Sequence, residues 1–183
     1  MRNFLLLVGT FLLLFSCKET SIPKPKGYLS LQYPTPVYTS LALQEPYAFH
    51  VSNQAIVTGL PNHWLKITYP HLKATIDITY RPVENNVRAL LFEAEKLVFE
   101  HTLRADDIVV TNFMAPERKV FASLHEITGN AASQLQFHAT DSVRHFIKGS
   151  LYFYAKPNYD SILPAVQYLK KDITTLLETL EWE

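Results

Sequence analysis

The chain has 183 residues, with 17 Lys and Arg against 17 Asp and Glu, so its formal net charge is zero. This length fits one domain with a short tail. The balanced charge argues against a nucleic-acid-binding protein, because such proteins need an excess of Lys and Arg to displace counterions. The single cysteine excludes an intrachain disulfide and a thiolate metal cluster.

The N-terminus has the pattern of an exported, lipid-anchored protein. A basic stretch at 1–3 precedes an apolar run from Phe4 to Phe15, which is too short to span a bilayer but fits a signal peptide. The run ends in Leu-Phe-Ser-Cys at 14–17, which is similar to a bacterial lipobox. We therefore predict a lipoprotein signal peptide at 1–16 and acyl chains, such as palmitate, on Cys17. The alternatives are an ordinary signal peptide with an incidental cysteine, or an uncleaved anchor.

A proline-rich stretch follows the cysteine. Five prolines between residues 18 and 46 favour an extended spacer. We therefore assign residues 17–46 to the lipidated cysteine and a tether, and residues 47–183 to a single domain. Tyr28, Leu31 and Tyr33 suggest that the second half of the tether lies along this domain, and Tyr47–Val51 is a candidate edge strand.

Apolar periodicity predicts the first elements of the domain. Alternation predicts strands at Trp64–Tyr69 and Leu72–Tyr80, joined by a turn at 70–71. Helical spacing then predicts a helix over 85–104, with Asn85 as its N-cap and a Glu100–Arg104 pair near its end.

Four further strands are predicted to form an antiparallel meander. They are 108–114, 119–127, a strand centred on Leu135–Ala139, and one running to Tyr154 that contains Gly149. In the third of these strands the apolar residues alternate with Gln136, His138 and Thr140, which predicts one buried and one exposed face.

The last predicted element is a helix from Leu163 to Leu180, with Pro164 in its first turn. Its apolar residues step by four and three along one side: Ile162, Val166, Leu169, Ile173, Leu176 and Leu180. A seam shorter than three heptads favours packing on the sheet over a coiled-coil partner. The predicted fold class is therefore α+β, an antiparallel sheet with two packed helices.

Candidate chemistry is sparse. His138, Asp141 and His145 could gather near one turn, where they would suit a metal site or acid–base catalysis. The seven-residue step between the histidines is not an established ligand spacing, so hydrogen-bonded or surface histidines are the preferred interpretation. Asp106-Asp107 fits a solvated turn.

No enzyme motif is present. Ser133, Ser142 and Ser161 lack a Gly-x-Ser-x-Gly elbow, and there is no phosphate loop or dinucleotide fingerprint. We therefore expect no enzymatic activity, no cofactor and no metal.

Several segments together resemble the gliding motility lipoprotein GldD family. They cover nearly the whole chain after Cys17, in order: PKPKGY at 23–28, KATIDITY at 73–80, HTLRADDI at 101–108, GNAAS at 129–133, QF at 136–137, TDS at 140–142, HF at 145–146, GSLYF at 149–153, PNYDS at 157–161 and EW at 181–182.

The resemblance implies a non-catalytic cell-envelope lipoprotein required for gliding motility and the associated type IX secretion machinery. Its partners would be the membrane, through acyl chains on Cys17, and proteins of that apparatus. Lys18-Glu19 is too short a charge signal to indicate surface export, so we expect a periplasm-facing domain. The order of elements is also similar to the Mog1/PsbP-like fold, and a lipid- or small-ligand-binding module of that type is the alternative function.

Overall fold

The computed structural model describes residues 32–41, 43–100, 105–154 and 159–183. In chain order its strands and helices are β1 (Tyr38–Ser40), β2 (Tyr47–Ala48), β3 (His50–Ser52), β4 (Ile56–Leu60), β5 (Trp64–Tyr69), β6 (Ala74–Pro82), α1 (Val87–Phe99), β7 (Ala105–Ala115), β8 (Val120–Gly129), β9 (Leu135–Thr140), β10 (His145–Phe153), α2 (Tyr159–Glu178) and β11 (Glu181–Trp182).

A seven-stranded antiparallel sheet forms the centre of the fold, in the order β4-β5-β6-β10-β9-β8-β7. The predicted meander is confirmed as β7 to β10, and β10 also pairs with β6, which joins the two halves of the chain into one sheet. The α+β class is confirmed. The strand β4 at the far edge was not predicted.

The two helices cover opposite faces of this sheet. The α2 helix packs its apolar seam into the main core, where Val166, Leu169 and Ile173 are fully buried beside Ile147 and Leu151. A coiled-coil partner for the seam is therefore excluded. The α1 helix packs on the other face, where Leu90 and Ala94 contact Phe146, and Val98 contacts Ile127.

Burial on both sides corrects the prediction for β9. All six residues of β9 are buried, including Gln136, His138 and Thr140, which were expected to face solvent. Alternation in the sequence shows that one face is apolar. It does not show that a second helix covers the polar face, and α1 does so here.

Several boundaries also differ from the predictions. Residues Pro70–Leu72 form a 3-10 turn and Lys73 takes a left-handed φ of 49°, so β6 starts at Ala74. The N-cap of α1 is Asn86, not Asn85. Asn85 has a positive φ of 59°, and the Asn86 side chain accepts a hydrogen bond from the N–H of Glu84. Arg104 lies outside the described residues, so the pair predicted with Glu100 does too.

The α2 helix is longer than predicted at its start. It begins at Tyr159, so Pro164 is inside the helix and not in its first turn. The prediction starts this helix too late because proline favours the first turn of a helix, and a start at Leu163 places Pro164 in that turn.

Tyr47–Val51 is not an edge strand of the main sheet. It divides into β2, which pairs with β11 at the C-terminus, and β3, which pairs with β1. The segment before β1 lies along α2, where Tyr33 stacks on Tyr168 at a ring distance of 4.8 Å. This contact confirms the prediction for Tyr33, whereas Tyr28 and Leu31 lie outside the described residues.

Candidate functional site

Asp141 follows β9 in the turn to β10, and its carboxylate is hydrogen-bonded to the backbone of that turn. Its Oδ1 accepts hydrogen bonds from the N–H groups of Val143, Arg144 and His145 at 2.9, 2.7 and 2.8 Å. Burial alone would raise the pKa of Asp141, but these three bonds outweigh it and hold the pKa below its ordinary value. Asp141 is therefore an ionised, structural residue of the turn.

His138 and His145 lie on opposite faces of the sheet. His138 of β9 pairs with Lys148 of β10, and the three-residue offset from Lys148 turns His145 to the other face. The His138 ring stacks on Phe146 under α1, while the His145 ring stacks on Trp182 at 5.4 Å. The predicted trio therefore does not converge on one point, and no group of three or more His, Cys, Asp or Glu among the described residues could hold a metal ion.

Both histidines are packing residues. His138 is 5% exposed, and burial, with a smaller effect of the neighbouring His125, lowers its pKa to about 4. His145 is also buried, and burial lowers its pKa despite the nearby Asp141. Its Nδ1 lies 3.0 Å from the hydroxyl of Tyr80. Both rings are therefore neutral at pH 7.

The remaining candidates are dispersed. Ser133 is fully buried and donates to the carbonyl of Leu135 at 3.1 Å. Ser142 and Ser161 are exposed on separate elements, and Asp106-Asp107 is exposed at the start of β7. None of these residues is part of a catalytic arrangement in the described chain.

An open groove of about 870 Å³ is a feature that sequence reasoning missed. It lies on the α1 side of the sheet, where Phe146 and Leu90 form its apolar part. Arg81, Glu93 and Lys148 add charge, and Arg81 Nη1 donates to Glu93 Oε2 at 2.8 Å.

Lys148 differs from the other charged residues of the groove. Burial, together with the nearby Arg81, lowers its pKa in spite of Glu93. Lys148 forms no ion pair with any described residue, whereas Arg81 and Glu93 pair with each other. The groove is therefore suited to a group that combines an apolar body with one negative charge.

The rim of the groove has an unusual backbone. Asn62 and His63 are consecutive residues with positive φ, at 64° and 60°. Two contacts hold this conformation: the Tyr47 hydroxyl donates to the carbonyl of His63 at 2.7 Å, and Glu45 Oε2 lies 2.8 Å from His63 Nδ1. Trp64 follows and is 41% exposed. Asn and His adopt the left-handed conformation more readily than most residues. Their adjacency at 62–63 was the sequence signal for this backbone conformation.

Asp172 is a second feature that the sequence analysis missed. It lies on the buried side of α2, where the Tyr38 hydroxyl donates to its Oδ1 at 2.6 Å. Burial raises the pKa of Asp172, although the neighbouring hydroxyl groups of Tyr38, Tyr69 and Ser52 oppose the shift. The hydrogen bond from Tyr38 connects β1 to α2. The sequence signal for this buried acid was its position between Leu169 and Ile173 on the apolar seam of α2.

Cys17, the predicted lipid-attachment residue, lies outside the described residues. Within the described ranges, no helix is both long and apolar enough to cross a membrane.

No curated protein matches the chain. The sequence model described as "Gliding motility lipoprotein GldD" matches residues 18–182, which is nearly the whole chain. The chain therefore belongs to the GldD family of gliding motility lipoproteins.

Proposed function

We propose that this lipoprotein is a non-catalytic accessory of the gliding machinery and of the associated type IX secretion system. Acyl chains on Cys17 hold it in a cell-envelope membrane with its domain facing the periplasm, and it acts by contacting other proteins of the apparatus. The observation that carries the proposal is the family match over residues 18–182, which starts directly after Cys17.

The chemistry of the described residues supports a non-catalytic role. Asp141, the strongest acid–base candidate, uses Oδ1 for three backbone hydrogen bonds. His138 and His145 point to opposite faces and pack against aromatic rings. A general base must reach the proton that it abstracts. These three side chains instead make hydrogen bonds or ring contacts with other residues of the fold.

The test uses variants that keep shape but remove titration. His138→Phe, Asp141→Asn and His145→Phe, expressed at normal levels and folded, should leave colony spreading largely intact, while deletion of the gene should abolish it. Loss of a general base or metal ligand usually removes orders of magnitude in rate. A folded variant that is as immotile as the deletion would overturn the non-catalytic proposal.

The groove favours a second candidate function, the binding of a lipid or small ligand. Its specific support is Lys148, a half-buried cation that lies beside Phe146 and Leu90 and forms no ion pair with a described residue. The test is a titration with dodecanoate, followed by tryptophan fluorescence, since Trp64 lines the groove. Lys148→Met should weaken binding and the matched change Lys171→Met on α2 should not. Equal affinities for both variants, or no saturable signal, would exclude this candidate.

A further inference from the structure

The outer side of β7 is open. This strand has 11 residues and stands at the edge of the seven-stranded sheet, where it pairs with β8 alone among the described strands. An edge strand presents a row of N–H and C=O groups to any chain that can pair with it. Soluble proteins usually protect such edges with short strands, prolines or charged side chains.

The two edges of this sheet differ in that protection. β4, at the opposite edge, has five residues, contains Gly59 and runs directly into Pro61. β7 has a bulge at Asp106, but from Ile108 to Ala115 it contains no charged residue, no proline and no glycine. Val110 is 49% and Met114 is 71% exposed. This length of uncharged, unprotected edge is the feature expected of a strand-pairing interface.

The charges around β7 complement a second copy of the same strand. Asp106 and Asp107 precede its uncharged stretch, and Glu117, Arg118 and Lys119, which carry a net positive charge, follow it in the turn to β8. Antiparallel pairing with an identical strand places the start of each strand against the end of the other, so a net acidic end faces a net basic end on both sides. An interface of this kind is self-complementary about a two-fold axis.

We propose that β7 pairs with β7 of a second copy, antiparallel and with the two-fold axis near Asn112, to give one sheet that continues through the dimer. In this register Val110 lies opposite Met114 of the second copy on the α1 side of the sheet, and directly opposed residues share a face as antiparallel pairing requires. Asp106 lies near Arg118 and Lys119 of the second copy, while Asp107 lies opposite Glu117. Of the two cations, Arg118 is already bound to the carbonyl of Leu180 at 2.9 Å and lies 3.5 Å from Glu117, so Lys119 is the cation to test.

The first test is cross-linking in envelope membranes that carry the full chain. Asn112→Cys places two thiols at the two-fold axis, so a mild oxidant should give a dimer on non-reducing gels. Val143→Cys is the matched control, because Val143 is 67% exposed but lies in the turn between β9 and β10. The unaltered chain controls for cross-links through Cys17. A dimer yield for Asn112→Cys no higher than for Val143→Cys overturns the proposal. A cross-linked band at another mass would assign the edge to a different protein and also overturn it.

The second test uses charge reversal in the Asn112→Cys background. Asp106→Lys and Lys119→Glu should each lower the dimer yield by about five-fold, which corresponds to about 1 kcal/mol for an exposed ion pair. The double variant should recover the yield, because opposite charges face each other again. Melting temperatures check that each variant is folded. If the two losses of dimer yield add in the double variant, or if neither single variant changes the yield, the proposed register and the strand pairing are both overturned.

Discussion

Phe137 of β9 and Gly149 of β10 lie opposite each other in the centre of the sheet. A Cβ atom at position 149 would overlap the ring of Phe137, so the absence of a side chain makes room for the aromatic ring. Gly59 of β4 provides the contrast, because a Cβ there would meet Leu43 Cδ1 at an ordinary 3.7 Å. The sequence shows Gly149 only as an interruption of a strand, since its partner in space is set by register.

Gly149→Ala should therefore lower the free energy of unfolding by about 1–3 kcal/mol, the usual cost of overpacking a core. Gly59→Ala should change it far less. Urea unfolding of the purified protein measures both. Adding Phe137→Leu to Gly149→Ala should recover part of the loss, and full additivity of the two changes would contradict the proposed overlap.

His138 makes the stability depend on pH. Its pKa is about 4 in the folded protein, against 6.5 as the ordinary value. Because the unfolded chain takes up the proton first, His138 stabilises the fold fully above pH 6.5 and loses this contribution as the pH falls towards 4. At about 1.4 kcal/mol per pKa unit, the loss is about 3 kcal/mol.

His138→Phe keeps an aromatic ring against Phe146 but removes the titration. The free energy of unfolding of this variant should vary less between pH 7 and pH 4 than that of the unaltered protein, as measured by urea midpoints across that range. Part of the slope should remain, because burial also lowers the pKa of His125. An unchanged slope would mean that His138 takes up a proton as readily in the folded protein as in the unfolded chain.

At the scale of elements, α2 supplies the largest apolar contribution from a helix to the core. Leu169→Ala and Ile173→Ala should each cost about 2–5 kcal/mol, because they remove fully buried methyl and methylene groups and leave cavities. Lys171→Ala, on the exposed side of the same helix, is the control. Thermal and urea unfolding measure the three variants, and near-equal stability would contradict the burial of the seam.

Elements with a strong local pattern could be predicted from the sequence. The bounds of β5 and the seam of α2 were identified because period-2 and 3.6-residue patterns are complete within each segment. The burial of β9 on both faces depends on α1, and the role of Asp172 depends on Tyr38, 134 residues away. The groove likewise combines β5, β6, β10 and α1, which no local pattern can join.

At the scale of the whole molecule, we predict that the anchor on Cys17 acts independently of the folded domain. Cys17→Ala should leave the folding of the domain intact but release the protein from the membrane fraction, because buried acyl chains provide the attachment. Fractionation with a high-salt wash is the measurement, since salt screens electrostatic attachment and does not affect acyl burial. A Cys17→Ala protein that still pellets with washed membranes would contradict lipid anchoring.

Contacts between the two ends of the domain determine when its folding can finish. β2 pairs with β11, the N–H of Glu183 donates to the carbonyl of Pro46, and Tyr38 bonds to Asp172. Synthesis delivers Tyr38 first, and Asp172 follows 134 residues later. The segment from Tyr38 to Ala48 must therefore remain unpaired with these partners until residues 172–183 have been synthesised. This part of the domain can complete its folding only after that point.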